Sequence, residues 1–257
     1  MRFDLHTHTN RYSACGKATP EEMMAAAIEY GLDGIVITEH DVMWSQAEID
    51  ELQAAFPQLV ILRGIEVNTA SAEHILVFGI TDPTLFSKYM EDAALGEIIE
   101  EHQGAAILAH PYRYGDTVPS EALALPLHAI EVASNNIRAH MEPPTYSLVQ
   151  SSGIPAAASS DAHWPENVGL YGVEFPGPIT NEKQLAAAIR KGDFRIFSDP
   201  TRIDNMNLKL KKEISLARRL RDQGYSDYEI RDLYGLSLSM LTALRAGRSV
   251  DFVTPRL

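Results

Sequence analysis

Short apolar runs bordered by a histidine or an acid recur along this chain, and that recurrence limits the folds open to it. Phe3 and Leu5 alternate with polar residues and lead into His6-Thr7-His8, and residues 34–38 lead into Glu39-His40-Asp41. Residues 59–62 precede Glu66, Glu73-His74 precedes the run 75–79, residues 105–109 precede His110, and residues 154–158 precede Asp161-Ala162-His163. Helical stretches separate most of these runs. The first, 21–30, has Thr19 as cap, Pro20 in its first turn and Glu22 closing a capping box. Others are expected at 45–56, 83–103 and 144–151, and at 180–191 with a cap at Thr180. About seven or eight strands arranged this way over roughly 200 residues suggest an α/β fold, a parallel β/α barrel or a close relative. A doubly wound open sheet suits the pattern less well, because its ligands gather in one crevice.

The chain has 257 residues, 45% of them hydrophobic, enough for one large α/β domain with a small appendage. No apolar run approaches the ~18 to 20 residues of a membrane span, so no membrane contact is expected. The N-terminus lacks the apolar stretch of a signal peptide. A single cysteine, Cys15, excludes an internal disulfide framework, and together these features point to the cytoplasm. Net charge is -13, which argues against a general affinity for nucleic-acid backbones. The charge is uneven. Residues 207–257 carry ten Lys and Arg against six Asp and Glu, net +4, while the preceding 206 residues are net -17. This break divides a catalytic part, 1–206, from a basic C-terminal part, 207–257.

That C-terminal part reads as three short helices, 208–223, 226–234 and 237–245, separated by Gly224 and Gly235. Its Gly224-Tyr225-Ser226 and Tyr234-Gly235-Leu236-Ser237 turns resemble the helix-turn-helix of recombinases and transposases. A DNA contact through these helices is one reading. A helical cap on the catalytic part or at a subunit interface is another, and a lid over a small molecule is a third. Oligomeric state is left open.

The candidates for chemistry are His6, His8, His40, Glu66, His74, His110, Asp161 and His163. His6 and His8 stand two apart on an extended segment, so both reach the same side, and Asp161 and His163 have the same spacing. A lone histidine on a strand is ordinarily a hydrogen-bonding residue. It is the conjunction of H-x-H, D-x-H and His110, each after an apolar run, that points to metal ligation. Imidazole and carboxylate donors suit Zn, Mn or Fe. A carboxylate such as Glu66 can be shared between two ions. His102, His128 and His140 lack such companions.

These motifs together resemble the PHP (polymerase and histidinol phosphatase) family. The matching residues are Asp4-Leu5-His6-Thr7-His8-Thr9, Thr38-Glu39-His40-Asp41, Ala109-His110-Pro111 and Ser160-Asp161-Ala162-His163, and the match covers roughly residues 1–200. The resemblance implies a distorted seven-stranded β/α barrel and two or three divalent metal ions. It implies one ion on His6, His8, Glu66 and Asp161, a second on Glu66, His74 and His110, and a third served by His40 and His163. Relatives place an Asp or His in the loop after H-x-H, whereas residues 10–16 here contain neither. Either Cys15 substitutes as a soft ligand, or Asp41 contributes, or the third site is weak or empty.

The implied activity is hydrolysis of a phosphate monoester in a small metabolite or nucleotide, by hydroxide generated on the metals. Arg113 and Arg11 are candidate phosphate ligands. Asp41 or His163 is the candidate proton donor to the leaving group. Glu131, Asn135 and Asn136 follow a strand and are candidates for shaping the pocket.

Overall fold

The computed structural model describes residues 1–255. The chain opens with β1 (Arg2–Thr7), α1 (Pro20–Glu29), β2 (Gly34–Ile37), α2 (Gln46–Ala55), β3 (Val60–Arg63) and β4 (Ile65–Asn68). It continues through β5 (His74–Phe78), α3 (Asp92–Glu101), β6 (Ala105–Leu108), α4 (Ser120–Leu123), β7 (Ala129–Ala133) and α5 (Glu142–Ser152). Next come β8 (Ala156–Ala158), β9 (Tyr171–Glu174), α6 (Glu182–Lys191) and β10 (Arg195–Ser198), and then three helices, α7 (Pro200–Asp222), α8 (Asp227–Tyr234) and α9 (Leu238–Arg245). The expected alternation of strands and helices, followed by a helical C-terminal region, is present.

The strand pairing departs from a ring of seven parallel strands. Among the described residues the strands form two five-stranded sheets, ordered β10-β9-β1-β2-β3 and β4-β5-β6-β7-β8. β1, β2 and β3 are parallel, as are β6, β7 and β8, whereas β4-β5-β6 and β1-β9-β10 pair antiparallel. The connection from β4 to β5 is too short to hold a crossover helix, so those neighbours must run antiparallel. The chain passes from one sheet to the other at Gly64, where a Cβ would lie 2.9 Å from the Val77 carbonyl oxygen. Two isolated parallel bridges, Thr7 with Ala162 and His40 with Glu66, tie the sheets together at the strand ends that bear the candidate residues.

Period-two alternation sorts the side chains. Val36, Leu76 and Phe78 join Phe3, Leu5, Ile107 and Val173 in a core shared by both sheets and covered by Leu185 and Ile189 of α6. The alternate residues Ile35 and Ile37 pack with Met23 and Met24 of α1 and with Leu52 of α2, while Ile75 and Val77 pack with Leu95 and Ile99 of α3. Thr19 forms the expected capping box with Glu22. The expected helix 83–103 is instead a single 3-10 turn at Pro83–Leu85 followed by α3, because Met90 between them pairs with Thr69. The cap of α6 is Asn181 and not Thr180.

α7 runs unbroken through residues 206 and 207. Its first half contributes Ile203 to a cluster with Ala133, Ile137 and Tyr171. Its second half forms a small core with α8 and α9 from Ala217, Leu220, Ile230, Leu236 and Leu241. The chain then returns to the sheets, where Val253 joins the Ile203 cluster. Among the described residues no helix is long and apolar enough to cross a membrane.

Candidate metal centre

His6 and His8 leave the end of β1, whose register against β2 is irregular between Asp4 and Thr7. Such irregularities re-aim side chains. His40 follows β2, Glu66 lies in β4, His74 opens β5, and His110 and Asp161 follow β6 and β8. Three of the loop residues here take positive φ without being glycine: Asp41 at 56°, His110 at 26° and Asp161 at 50°. Backbone of this kind is strained, and it persists where surrounding contacts over-determine it. The bond from His8 N to Ala162 O and that from Ala162 N to His6 O, 2.8 and 3.1 Å, hold Asp161 against the H-x-H pair.

The donor atoms converge. His6 Nε2 lies 3.2 Å from Glu66 Oε2 and 3.4 Å from Asp161 Oδ1, and His8 Nε2 lies 3.1 and 3.3 Å from the same two oxygens. All four atoms are buried and none has a hydrogen-bond partner of acceptable geometry. Burying four such groups together is costly unless something binds between them. Ligands at tetrahedral corners about 2.0–2.1 Å from an ion sit about 3.3 Å apart, so the set fits a divalent metal. Glu66 also faces a second group, with Oε1 2.6 Å from His74 Nδ1 and 3.0 Å from His110 Nε2. His40 Nδ1 stands 2.8 Å from Oε2. One carboxylate is thus shared among five imidazoles. A further group, His8, His40 and His163, could hold an ion of its own.

Electrostatics follow this crowding. Burial would raise the pKa of Glu66, but His6, His110 and His40 hold it well below the carboxylate range. Asp161 is likewise lowered against burial, by His6 and His8. Burial would depress His6, yet Asp161 and Glu66 raise it well above the ordinary imidazole value. Both carboxylates are therefore ionised acceptors, ready for cations.

A second layer holds the ligands, and the sequence did not reveal it. Glu131 is fully buried behind His6 rather than lining a pocket. Its Oε1 accepts from Ser159 Oγ at 2.5 Å and lies 3.3 Å from His6 Nδ1, and its Oε2 accepts from His110 N at 2.7 Å. Asp4 accepts from the backbone of Ser160, Gly169 and His6 and from the Ser160 hydroxyl. Ser13 Oγ is 3.4 Å from His8 Nδ1. Buried acids of this kind fix imidazole orientation and tautomer.

The remaining candidates divide. Cys15 Sγ lies 3.2 Å from His163 Nε2. Gly16 allows that approach, since a Cβ there would lie 2.1 Å from Thr9 O. Burial would raise the Cys15 thiol, but His163 and His40 bring its pKa down to about 5. Arg113 is at the centre, its Nη1 3.3 Å from His110 Nε2 and 3.7 Å from Asp161 Oδ2. Arg11 is engaged elsewhere: Glu48 takes its Nε at 2.8 Å and its Nη2 at 2.6 Å. Asp41 is engaged too, each carboxylate oxygen accepting from Asn68, at 2.8 and 2.6 Å, which ties the side chain to β4. Asn136 Nδ2 donates to Asp161 Oδ2. Tyr114, which no motif announced, places its hydroxyl 3.2 Å from His74 Nε2.

Comparison with known proteins gives a consistent picture. The PHP domain family matches residues 4–136, and the PHP-associated family matches residues 146–194. No curated protein sequence matches the chain. Among solved structures, PsfC from Pseudomonas syringae is similar with a TM-score of 0.60 at 18% identity, over 82% of this chain and 98% of that one. A two-domain Bacteroides vulgatus protein containing a predicted PHP-like metal-dependent phosphoesterase also scores 0.60 at 18% identity, over 77% of this chain and 64% of its own. The lesion-specific endonuclease EndoQ of Pyrococcus furiosus scores 0.55 at 16% identity, over 76% of this chain and 57% of its own. At these identities the structural likeness concerns the fold alone.

Proposed function

The chain belongs to the PHP-domain family of metal-dependent phosphoesterases, and from that premise we propose that it hydrolyses a phosphate monoester of a small metabolite or nucleotide. The observation that carries this is the position of Glu66, whose two oxygens face separate sets of imidazoles beside Arg113. We assign His6, His8, Glu66 and Asp161 to one divalent ion and Glu66, His74 and His110 to a second. His40 and His163, with Cys15 as a soft donor, go to a third. Mn, Fe and Zn all suit these donors. When bound, such ions supply Lewis acidity toward the phosphoryl oxygens and lower the pKa of water.

The chain's own residues supply the rest. Arg113 offers a planar fork to a phosphoryl oxygen. Tyr114 and Arg113 wall the same side of the centre. Asp41, held in place by Asn68, or His163 when it does not hold a metal, is the proton donor we assign to the leaving oxygen. Glu131 and Asp4 keep the ligating strand ends in register.

The test is metal analysis of the purified protein, followed by phosphate release from a panel of monoesters and nucleotides with and without added Mn or Zn. No bound transition metal together with no release after metal addition would refute the enzyme reading. We place the protein in the cytoplasm and take residues 207–257 as a basic C-terminal unit that α7 and Val253 join to the catalytic part. A nucleic-acid role is the second reading, favoured in that unit by the α8–turn–α9 shape and in the fold at large by the likeness to a DNA endonuclease over 76% of the chain. It is the weaker one, because Asp227 pairs with both Arg221 and Arg245, and Arg231 pairs with Asp232.

A further inference from the structure

The loop leaving β7 is fastened to the metal centre. Asn135 N donates to Ser160 O at 3.0 Å, Asn136 donates to Asp161, and Ile137 is fully buried. Between these anchors the polar groups are not satisfied. The Asn135 side chain is only 7% exposed, and neither its Nδ2 nor its Oδ1 has a hydrogen-bond partner. Arg138 Nη1 is sealed from solvent and also lacks a partner, while the side chain as a whole is partly exposed. Among the described residues no carboxylate lies within ion-pair distance of Arg138. Burial brings its pKa down to about 10; Tyr171, Glu213 and Asp251 act to raise it from beyond ion-pair distance, and Arg113 acts to lower it. A guanidinium nitrogen buried without a direct partner, on the same loop as an unsatisfied amide, is costly until an anion joins it.

The C-terminal segment holds it there. The Phe252 ring lies beneath the guanidinium, 3.9 Å from ring centroid to Arg138 Cζ, and the two residues form an antiparallel bridge. Ala139 N donates to Asp251 O at 2.9 Å, Phe252 N to Asn207 Oδ1 at 2.8 Å, and the Tyr171 hydroxyl to Val253 O at 2.8 Å. Arg248 reaches Asp116, in the loop after His110, at 3.2 Å. The segment is thus bound to both loops that flank the centre.

We propose that the C-terminal segment completes an oxyanion subsite beside the metal centre, with Phe252 positioning Arg138 to take an anionic oxygen of the substrate and Asn135 adding its amide. The proposal rests on the phosphoesterase reading. Its ligand class is a phosphate or carboxylate oxygen, which a planar guanidinium grips through two parallel hydrogen bonds.

The test uses the full-length, metal-loaded protein. Arg138→Ala, Arg138→Lys, Phe252→Ala and Phe252→Tyr are compared with wild type in metal content, melting temperature and calorimetric affinity for inorganic phosphate. KM and kcat are measured on p-nitrophenyl phosphate and on phosphoglycolate, which adds a carboxylate. Arg138→Ala is expected to weaken oxyanion binding about tenfold to a hundredfold, and Arg138→Lys to recover part of it. Phe252→Ala should raise KM about threefold to tenfold with little change in kcat, and Phe252→Tyr should restore it. Metal content should not change. If phosphate and both esters suffer alike, the subsite holds the phosphoryl group being cleaved. If phosphoglycolate alone suffers, it holds the second acid. Folded Arg138→Ala and Phe252→Ala proteins that keep phosphate affinity and every KM within about twofold would overturn the proposal. Should Arg138→Ala not fold, Arg138→Lys and Phe252→Ala decide. The phosphoesterase reading fails separately, by absence of phosphate release from the metal-loaded wild type, and phosphate calorimetry still tests the subsite in that case.

Discussion

Glu131→Gln is the sharpest perturbation of the centre, because it replaces a single oxygen by an NH2 group and leaves the shape intact. In the native protein the Glu131 carboxylate faces three groups: Ser159 Oγ and His6 Nδ1 at Oε1, and His110 N at Oε2. The His110 amide can only donate. If the glutamine oxygen takes the Oε1 position, its NH2 meets that amide at about the native 2.7 Å, donor against donor. If it is flipped, its NH2 faces Ser159, whose hydroxyl can rotate, and His6 Nδ1, which must then give up its proton. The His6 proton moves to Nε2, the atom aimed at Glu66 and Asp161, and the lone pair needed there is lost. Either outcome removes a charge-assisted bond at a fully buried site, costing about 1–3 kcal/mol of stability. Metal affinity should fall about tenfold to a hundredfold, the usual effect of losing the carboxylate behind a ligating histidine. Competitive chelator titration reads the affinity and calorimetric melting reads the stability. A Glu131→Gln protein with wild-type affinity and melting temperature would refute the argument that Glu131 sets the tautomer of His6.

Other outcomes follow from the same geometry. Glu66→Ala should reduce turnover by at least about a thousandfold and lower the bound-metal count, because one carboxylate serves two sets of imidazoles; retention of both would remove Glu66 from the centre. Cobalt-substituted protein should show a sulfur-to-cobalt charge-transfer band that Cys15→Ser abolishes, and a spectrum unchanged by the substitution would leave Cys15 a plain thiol. Glu73, buried beside Asp92, has its pKa raised by burial to about 7, so the folded state binds more protons than the unfolded one between about pH 4.5 and 7. Its contribution to stability is therefore lost as pH rises through that window. Glu73→Gln should match wild type near pH 4.5 and exceed it above pH 7 by up to about 3 kcal/mol, and a difference independent of pH would contradict this. Fluorescence anisotropy with duplex DNA at physiological salt should give a Kd no tighter than about micromolar for the full chain, since Asp227 and Asp232 occupy arginines of the C-terminal helices; nanomolar binding would restore the nucleic-acid reading.

The convergence of the candidate ligands was legible in the sequence because strand ends there are marked twice, by an apolar run and by a histidine or acid directly beside it. His6, His8, His40, Glu66, His74, His110 and Asp161 all arrive within reach of one another. What lies behind them was not legible. Glu131 and Asp4 look like ordinary strand acids until the fold sets them under His6 and Ser160. The positive φ of His110 and Asp161 has no local signature, since neither residue type demands it and only tertiary contacts maintain it. Arg11 and Asp41 stood at suggestive positions, but Glu48 and Asn68 offered them partners that spacing could not foretell. The antiparallel strands β5 and β9 carry the same apolar runs as the parallel ones. Their direction is set by connection lengths and pairing choice, which hydrophobic pattern alone leaves undetermined.

The acidity of the chain and the anionic substrate proposed for it are compatible because the charges lie in different places. Glu39, Glu66, Glu131, Asp4 and Asp161 are sealed from solvent, each turned toward donors or imidazoles. They add to the formal charge of -13 without presenting it to an approaching ligand. At the centre only Glu66 and Asp161 face the space where cations fit, and Arg113 stands beside them. Two divalent ions would bring four positive charges against those two carboxylates and leave the cleft cationic. The first 206 residues are net -17 as a whole, five of those charges being the sealed acids, and the field of the exposed remainder decays over a Debye length of about 8 Å at physiological salt. A small monoester meets the acidic exterior briefly and then sits wholly in the cationic cleft. A long polyanion must lie along both, and its repulsion from the exterior grows with every phosphate outside the cleft. The charge layout that suits the single phosphate of the proposed monoester therefore discriminates against many, which is the argument for proposing a small metabolite or nucleotide over a nucleic acid as the substrate.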